Sequence, residues 1–397
     1  MKVLGIIAEY NPLHNGHIYH IQKSKKENNC DLAIVLMSGA FTQSGNISLI
    51  DKFKRAKIAC QYGADLVIEL PTIYSTSSAE NFSFGAVKLL NNLNIIDVLS
   101  FGVEDDDISV LQSVATSIIE NDSFIWDNIK EELKKGRSFA TSRALTLAKI
   151  LSPKNIDIIK KSNNILAIEY LKSLKKLNSN IIPYALKREG QCATSILNFS
   201  NTYISATSIR NVINTNSNID SIIQYIPKDI VKYLSNTCNN DMLFNILKYK
   251  ILTTDVFCLS KIKDVIEGLE NKIINSISSS KNYDEFIHNI KSKRYELSKI
   301  KRMLNNIILN ISVDDFNELS DDASKYAHVL AISKNGELLL SKIAKSSNVK
   351  LITSINDKLL NSLDDNIAKN IRLDILATNI QSSLMNEKLN KDYTNKL

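Results

Sequence analysis

Residues 3–20 read Val3-Leu4-Gly5-Ile6-Ile7-Ala8-Glu9-Tyr10-Asn11-Pro12-Leu13-His14-Asn15-Gly16-His17-Ile18-Tyr19-His20, and the fold follows from them. The first six residues are a short apolar run rich in branched side chains, the pattern of a strand buried on both faces. Glu9 ends that run and no small-residue cleavage pattern follows, so the segment reads as a first strand rather than a secretory leader. A polar turn leads into a helix that starts at Gly16 or His17 and reaches about Glu27. A helix start of this kind offers unpaired backbone N–H groups and the positive end of the dipole, the requirements of a phosphate site. Gly16 removes a Cβ that would block close backbone approach. His14 and His17, three apart, share one side of the first turn, where imidazole N–H groups can donate to phosphate oxygens. His20 continues that face. Two plainer readings stand beside this one. The histidines can be surface or N-capping residues, and a zinc site lacks a carboxylate or cysteine at ligand spacing and any H-E-x-x-H pattern.

Outward from this stretch the alternation continues. Short apolar runs at 32–37, 66–70, 98–101 and 181–186 read as further buried strands, with helical patterns at about 51–62, 77–91 and 163–177 between them. Residues 122–137 read as a helical insertion. The β-α-β-α order predicts an α/β fold with a doubly wound parallel sheet, whose ligands sit beyond the carboxyl ends of the strands. From about residue 211 helical periodicity takes over, and no proline occurs after Pro227. Phe286, Ile287, Ile290, Tyr295, Ile300, Met303, Leu304, Ile307 and Ile308 fit an apolar stripe on successive helices. Beyond Asp314 the pattern is mixed, with a strand expected near 326–333. The expected division is therefore 1–210, 211–311 and 312–397.

Composition excludes more than it identifies. The chain has 397 residues, 49 Lys+Arg against 42 Asp+Glu, and a formal net charge of +7, which permits a nucleic-acid or phosphate partner without demanding one. No apolar run approaches the roughly 18–20 residues of a membrane helix. Five cysteines, odd in number and without a CxxC pair, argue against a disulfide framework or structural zinc and suit a reducing cytoplasm. Three of the five histidines fall within 14–20. The most basic segment is 286–305, where Lys291, Lys293, Arg294, Lys299, Lys301 and Arg302 face one acid, Glu296, with Tyr295 interleaved for stacking. Such a run is also the composition of a solvated helix face.

H-x-G-H directly after a first strand resembles the signature of the HIGH-type nucleotidyltransferases. The longer string from Ala8 to His20 resembles the opening of the bacterial tRNA(Met) cytidine acetate ligase family. So do Met37-Ser38-Gly39, Gly63-Ala64-Asp65-Leu66-Val67-Ile68-Glu69-Leu70-Pro71, Ser100-Phe101-Gly102, Asn163-Asn164-Ile165-Leu166, Ser205-Ala206-Thr207-Ser208-Ile209-Arg210, Glu267-Gly268-Leu269-Glu270 and Lys293-Arg294-Tyr295. The resemblance implies a Rossmann-like nucleotidyltransferase domain, a mainly helical tRNA-binding region and a small mixed C-terminal region. It further implies a two-step reaction in which acetate attacks the α-phosphate of ATP, and the acetyl group then passes to the exocyclic amine of the wobble cytidine of elongator tRNA(Met). ATP, with Mg²⁺, and acetate are the implied ligands, with no membrane or stable protein partner and a cytoplasmic location.

On that reading His14 and His17 are catalytic. The ATP site comprises Ile7, Ala8, Glu9, Tyr10, Asn11, Pro12, Leu13, His14, Asn15, Gly16, His17 and His20, with Gly102, Asn163 or Asn164, Arg188 and Ser208, and Arg210 facing the nucleotide beside Ser208. No protein-held metal is expected. Each of the later residues also has a structural reading: Gly102 as a strand-end turn, the asparagines as caps, and 205–210 as a helix start. Three positions depart from the family pattern: Ser44 stands where an arginine is usual, Val103 precedes Glu104 in place of Ser-Glu, and 190–194 lack a Tyr-His pair. Two rival functions stay open: a small-molecule nucleotidyltransferase, and a tRNA-binding protein with a decayed ATP site.

Overall fold

The computed structural model describes residues 1–104, 107–137, 139–188, 203–215, 218–266, 268–292, 295–395 and 397. The five expected strands form within one or two residues of the apolar runs: β1 (Val3–Ala8), β2 (Leu32–Ser38), β3 (Leu66–Leu70), β4 (Val98–Val103) and β5 (Ile182–Lys187). Two more come late in the chain: β6 (Tyr326–Ile332), where a strand was also expected near 326–333, and β7 (Lys350–Ile352). The helices that position the site are α1 (Asn15–Glu27), α2 (Lys52–Gln61), α3 (Ala79–Asn92), α4 (Ser162–Lys176), α5 (Ala206–Asn214), α6 (Leu297–Leu309) and α7 (Asp365–Leu384).

The seven strands make one sheet in the order β5-β4-β1-β2-β3-β6-β7. β1 to β5 pair in parallel, with Val3 opposite Leu32 and Gly5 opposite Leu99. The chain steps outward from β1 through β2 to β3, then returns to place β4 on the other side of β1. That reversal opens a crevice at the carboxyl ends of β1 and β4. β6 runs antiparallel to β3, with a register shift at Val67/Ile68. The parallel alternation did not foretell this pairing, since β6 lies more than 250 residues beyond β3 in the chain.

Alternate strand residues feed two cores, which is why the runs are apolar throughout. Ile34, Leu36 and Ile68 pack with Leu89 and Leu90 of α3 and Ile168 and Leu171 of α4. Leu4, Ile6, Val35 and Val67 pack on the other face with Ile21 of α1, Ala56 and Ala59 of α2 and Ile209 of α5. A third core gathers the expected helical stripe, including Phe286, Ile300, Met303 and Ile307, and takes in Leu384 from α7.

One part of the interior is ionic. The Lys52 ammonium lies 2.7 Å from Glu69 and 2.6 Å from Asp392, all three fully buried. His328 of β6 contacts the same Glu69 carboxylate at 2.7 Å. Beside them Asp374 accepts from the Tyr326 hydroxyl at 2.5 Å and from the Thr72 N–H at 2.7 Å. Glu69, His328 and Asp392 bring ligand-type atoms within 4.8 Å of one another, but the Lys52 ammonium already supplies the positive charge there.

Candidate nucleotide site

The crevice holds a cavity of about 320 Å³, floored by the turn after β1 and walled by Gly102, Asn163, Arg188 and the start of α5. Tyr10 turns the chain at φ 46°, and the Asn11–Pro12 peptide is cis. His14 is the N-cap of α1, and its Nδ1 accepts from the Gly16 N–H at 3.1 Å. His17 reaches back, and its Nδ1 accepts from the His14 N–H at 3.3 Å. The two histidines thus form a capping box usually built from Ser/Thr and Glu. Their rings stack at 3.7 Å between centroids, with Tyr10 tilted against His17 at 4.9 Å. A Cβ on Gly16 would lie 3.0 Å from the His14 ring, so the glycine makes room for the stack.

This geometry changes which donors the turn can offer. The first N–H groups of α1 are occupied: Asn15 donates to Tyr225 O at 2.9 Å, Gly16 to the His14 ring, and His17 to His14 O at 2.8 Å. What the helix start presents is imidazole. Because both Nδ1 atoms accept from the backbone, each neutral ring carries its proton on Nε2, away from the cap. Burial, with Arg188 and Arg210 adding to it, pushes His14 down to about 3. Burial and the neighbouring His14 likewise hold His17 well below its ordinary value. Both rings are therefore neutral donors at physiological pH. His20, lowered to about 4 by burial and Arg188, is tied through Nε2 to Ser100 of β4 at 2.8 Å. It lines the cavity but is anchored to the sheet.

The remaining expected residues divide. Asn163 lines the cavity, accepts from Arg188 at 3.1 Å and donates to Glu104 at 2.7 Å. Asn164 is buried and orders the loop instead, accepting from the Glu104 N–H at 2.9 Å and donating to Ile158 O. Glu104, which departs from the family pattern in its neighbour, thereby holds both asparagines. A Cβ on Gly102 would lie 3.3 Å from the Arg188 stem, so this glycine lets the arginine cross the strand end. Ser208 is buried in the α5 cap, bonded to Ser205 behind the wall that Ser205, Ala206 and Thr207 form. Arg210 does reach the cavity, donating to Asn11 O at 2.6 Å and Thr207 Oγ1 at 2.9 Å.

The basic segment also divides. Lys293 and Arg294 lie outside the described residues, as do 190–194. Lys291 is exposed, and Lys299 stacks its ammonium over the Tyr295 ring at 5.0 Å. Lys301 and buried Arg302 turn inward: they donate to Asn46 Oδ1 at 2.9 Å and Gln43 O at 2.8 Å, and Asn305 donates to Gly45 O. Gly45, at φ 82°, has no room for a Cβ, which would sit 2.5 Å from Lys301. α6 therefore fixes the 42–46 loop, whose Gln43 and Ser44 line the cavity. Ser44 fills its place with two bonds to Glu9, from N at 2.8 Å and Oγ at 3.0 Å.

Arg55 is the residue the sequence reading missed. Fully buried, it donates to Ile50 O, Glu9 O, Ser38 O and Gly39 O and rivets together the ends of β1 and β2. Its signal was a cation on the buried face of α2, in step with Ala56 and Ala59.

The HIGH Nucleotidyl Transferase family model matches residues 1–396. The tRNA(Met) cytidine acetate ligase of Clostridium botulinum (strain Okra / Type B1) is 41% identical over 407 residues, covering 99% of this chain and 97% of that protein. That of Thermoanaerobacter sp. (strain X514) is 42% identical over 360 residues, covering 89% and 88%. Thermotoga maritima TmcAL bound with alpha-thio ATP superposes with a TM-score of 0.88 at 29% identity, over 100% of this chain and 98% of that one. Its apo form gives 0.89 at 30% identity, over 97% and 95%. The chain belongs to the HIGH nucleotidyl transferases, in the tRNA(Met) cytidine acetate ligase family.

Proposed function

We propose that this protein is an ATP-dependent tRNA cytidine acetate ligase, which activates acetate as acetyl-adenylate and transfers the acetyl group to the exocyclic amine of the wobble cytidine of elongator tRNA(Met). The observation that carries the reading is the stacked His14–His17 pair in the floor of the β1/β4 crevice. In the first step an acetate oxygen attacks the α-phosphorus and pyrophosphate leaves. Such a step needs positioning and neutralisation of charge more than covalent help. The Nε2–H groups of His14 and His17 donate to phosphate oxygens, while Arg188 and Arg210 supply planar cations. Mg²⁺ arriving with ATP would neutralise phosphate charge, and the described cavity wall, with one carboxylate, Glu9, against several cations, would offer it no cluster of protein ligands. In the second step the cytidine amine takes the acetyl group and AMP leaves.

The division at 210 and 311 belongs to this reading, with residues 211–311 as the tRNA-binding region and Lys291, Lys293, Arg294, Tyr295 and Lys299 as its contacts. Lys301 and Arg302 serve the reading differently, by joining that region to the cavity loop. The same reading places the protein in the cytoplasm with its tRNA.

The test is incubation with elongator tRNA(Met), labelled acetate and MgATP, followed by nucleoside analysis. Acetylated cytidine is the expected product, and tRNA without label overturns the reading. Retention of tRNA should weaken steeply with salt. A finer prediction concerns Gly16→Ala. The new Cβ displaces the His14 ring and its cap bond, a loss of about 1 kcal/mol, and KM for ATP should rise severalfold in pyrophosphate-exchange kinetics.

A further inference from the structure

Glu9 is the single carboxylate among the described residues that line the cavity, and its charge opposes both anionic substrates, ATP and acetate. The fold nevertheless holds it in place with care. Ser44 donates one bond to each carboxylate oxygen, Arg55 holds the Glu9 carbonyl at 2.7 Å, and α6 clamps the loop that carries Ser44. Each carboxylate oxygen keeps a further lone pair for another donor. A carboxylate is the side chain that reads a cytosine amino group, because it accepts the N4–H that a uracil lacks.

We propose that Glu9 is the general base of the second half-reaction and accepts a proton from the cytidine exocyclic amine. This rests on the acetyl-transfer reading above. As the amine nitrogen bonds to the acetyl carbon, the carbon–oxygen bond to the adenylate phosphate breaks. AMP leaves with that electron pair, the N4 proton passes to Glu9, and Glu9 releases it to water. The same position makes Glu9 select cytidine, since the O4 acceptor of uridine meets a negative charge there. A purely structural alternative also exists, because Glu9 offsets the charge of Arg55, Arg210 and Arg302.

The experiment separates the two steps. Acetate-dependent ATP–pyrophosphate exchange reports adenylation. Full-length protein charged with ATP and labelled acetate, then mixed with tRNA(Met), reports transfer. Glu9→Gln should slow transfer about 100-fold or more, and at least about ten-fold more than it slows exchange. Glu9→Asp, which keeps the carboxylate, should recover at least about ten-fold of the transfer rate over Gln. Equal losses in both steps, with or without a fall in thermal midpoint, assign Glu9 to structure or to the nucleotide and overturn the proposal. So does full transfer by Glu9→Gln, or no recovery by Asp. Acetylation by the unaltered protein in the same mixture tests the reading beneath, independently of the variant ratios.

Discussion

His17→Ala is expected to lower acetate-dependent ATP–pyrophosphate exchange about 10²–10³-fold, the usual effect of removing one preorganised donor from developing phosphate charge. The variant loses two things at once: the Nε2–H donor and the Nδ1 acceptor that caps the His14 N–H. His17→Asn separates them. An asparagine oxygen can stand near the Nδ1 position and keep the cap, but nothing replaces Nε2. Exchange by the Asn variant should therefore be nearly as slow as by the Ala variant, whereas filter retention of tRNA should change little in either. Recovery by Asn would show that the cap, not the donor, limits the reaction. Because burial keeps both rings neutral far below pH 6.5, no loss of exchange should trace to these histidines between about pH 6 and 8.

Lys52→Met should destabilise the fold by about 3–5 kcal/mol, measured by urea unfolding at neutral pH. The substitution leaves Glu69 and Asp392 buried without their cation. The pH dependence of the unaltered protein reports the same cluster. Burial raises the Glu69 carboxyl, but Lys52 and His328 outweigh it and bring the group down to about 2. Its contribution is present above the ordinary carboxyl value and lost as pH falls toward 2. Asp374 behaves oppositely: burial, then repulsion from Glu69, push it up to about 7. Its contribution is present in acid and lost as pH rises through 7. Unfolding midpoints should therefore peak near about pH 4, fall toward acid, fall again between about pH 4 and 7, and lose that second fall in Asp374→Asn.

The parallel part of the sheet was legible because β1 to β5 are short, branched and buried on both faces, so local pattern and final environment agree. The strand-turn-helix geometry around H-x-G-H was legible for the same reason, its parts lying within one turn. What was not legible depends on partners far apart in the chain. Nothing local to Tyr326–Ile332 reveals that it pairs backward with β3. Lys301 and Arg302 belong to a basic run that reads as a solvated RNA surface, yet their partners, Asn46 and Gln43, sit more than 250 residues away. Asn163 and Asn164 are chemically identical neighbours, and only the path of the Glu104 loop separates a cavity residue from a buried one. Ser44 stands where the family usually has an arginine. In the structure Ser44 is instead the residue that orients Glu9.

The pairing of β3 with β6 has a consequence for biosynthesis. β3 ends at Leu70, and the strand that covers its edge ends at Ile332. At about 5–20 residues per second the nascent chain carries this apolar edge, with Lys52 and Glu69 beneath it, for roughly 13–50 s before its partner is made. Asp392, the second carboxylate on Lys52, is made later still. The edge of β3 therefore stays uncovered until β6 has been made. A ribosome that stalls in the helical region releases a chain with an open strand edge, a substrate for chaperones and aggregation rather than a smaller working enzyme.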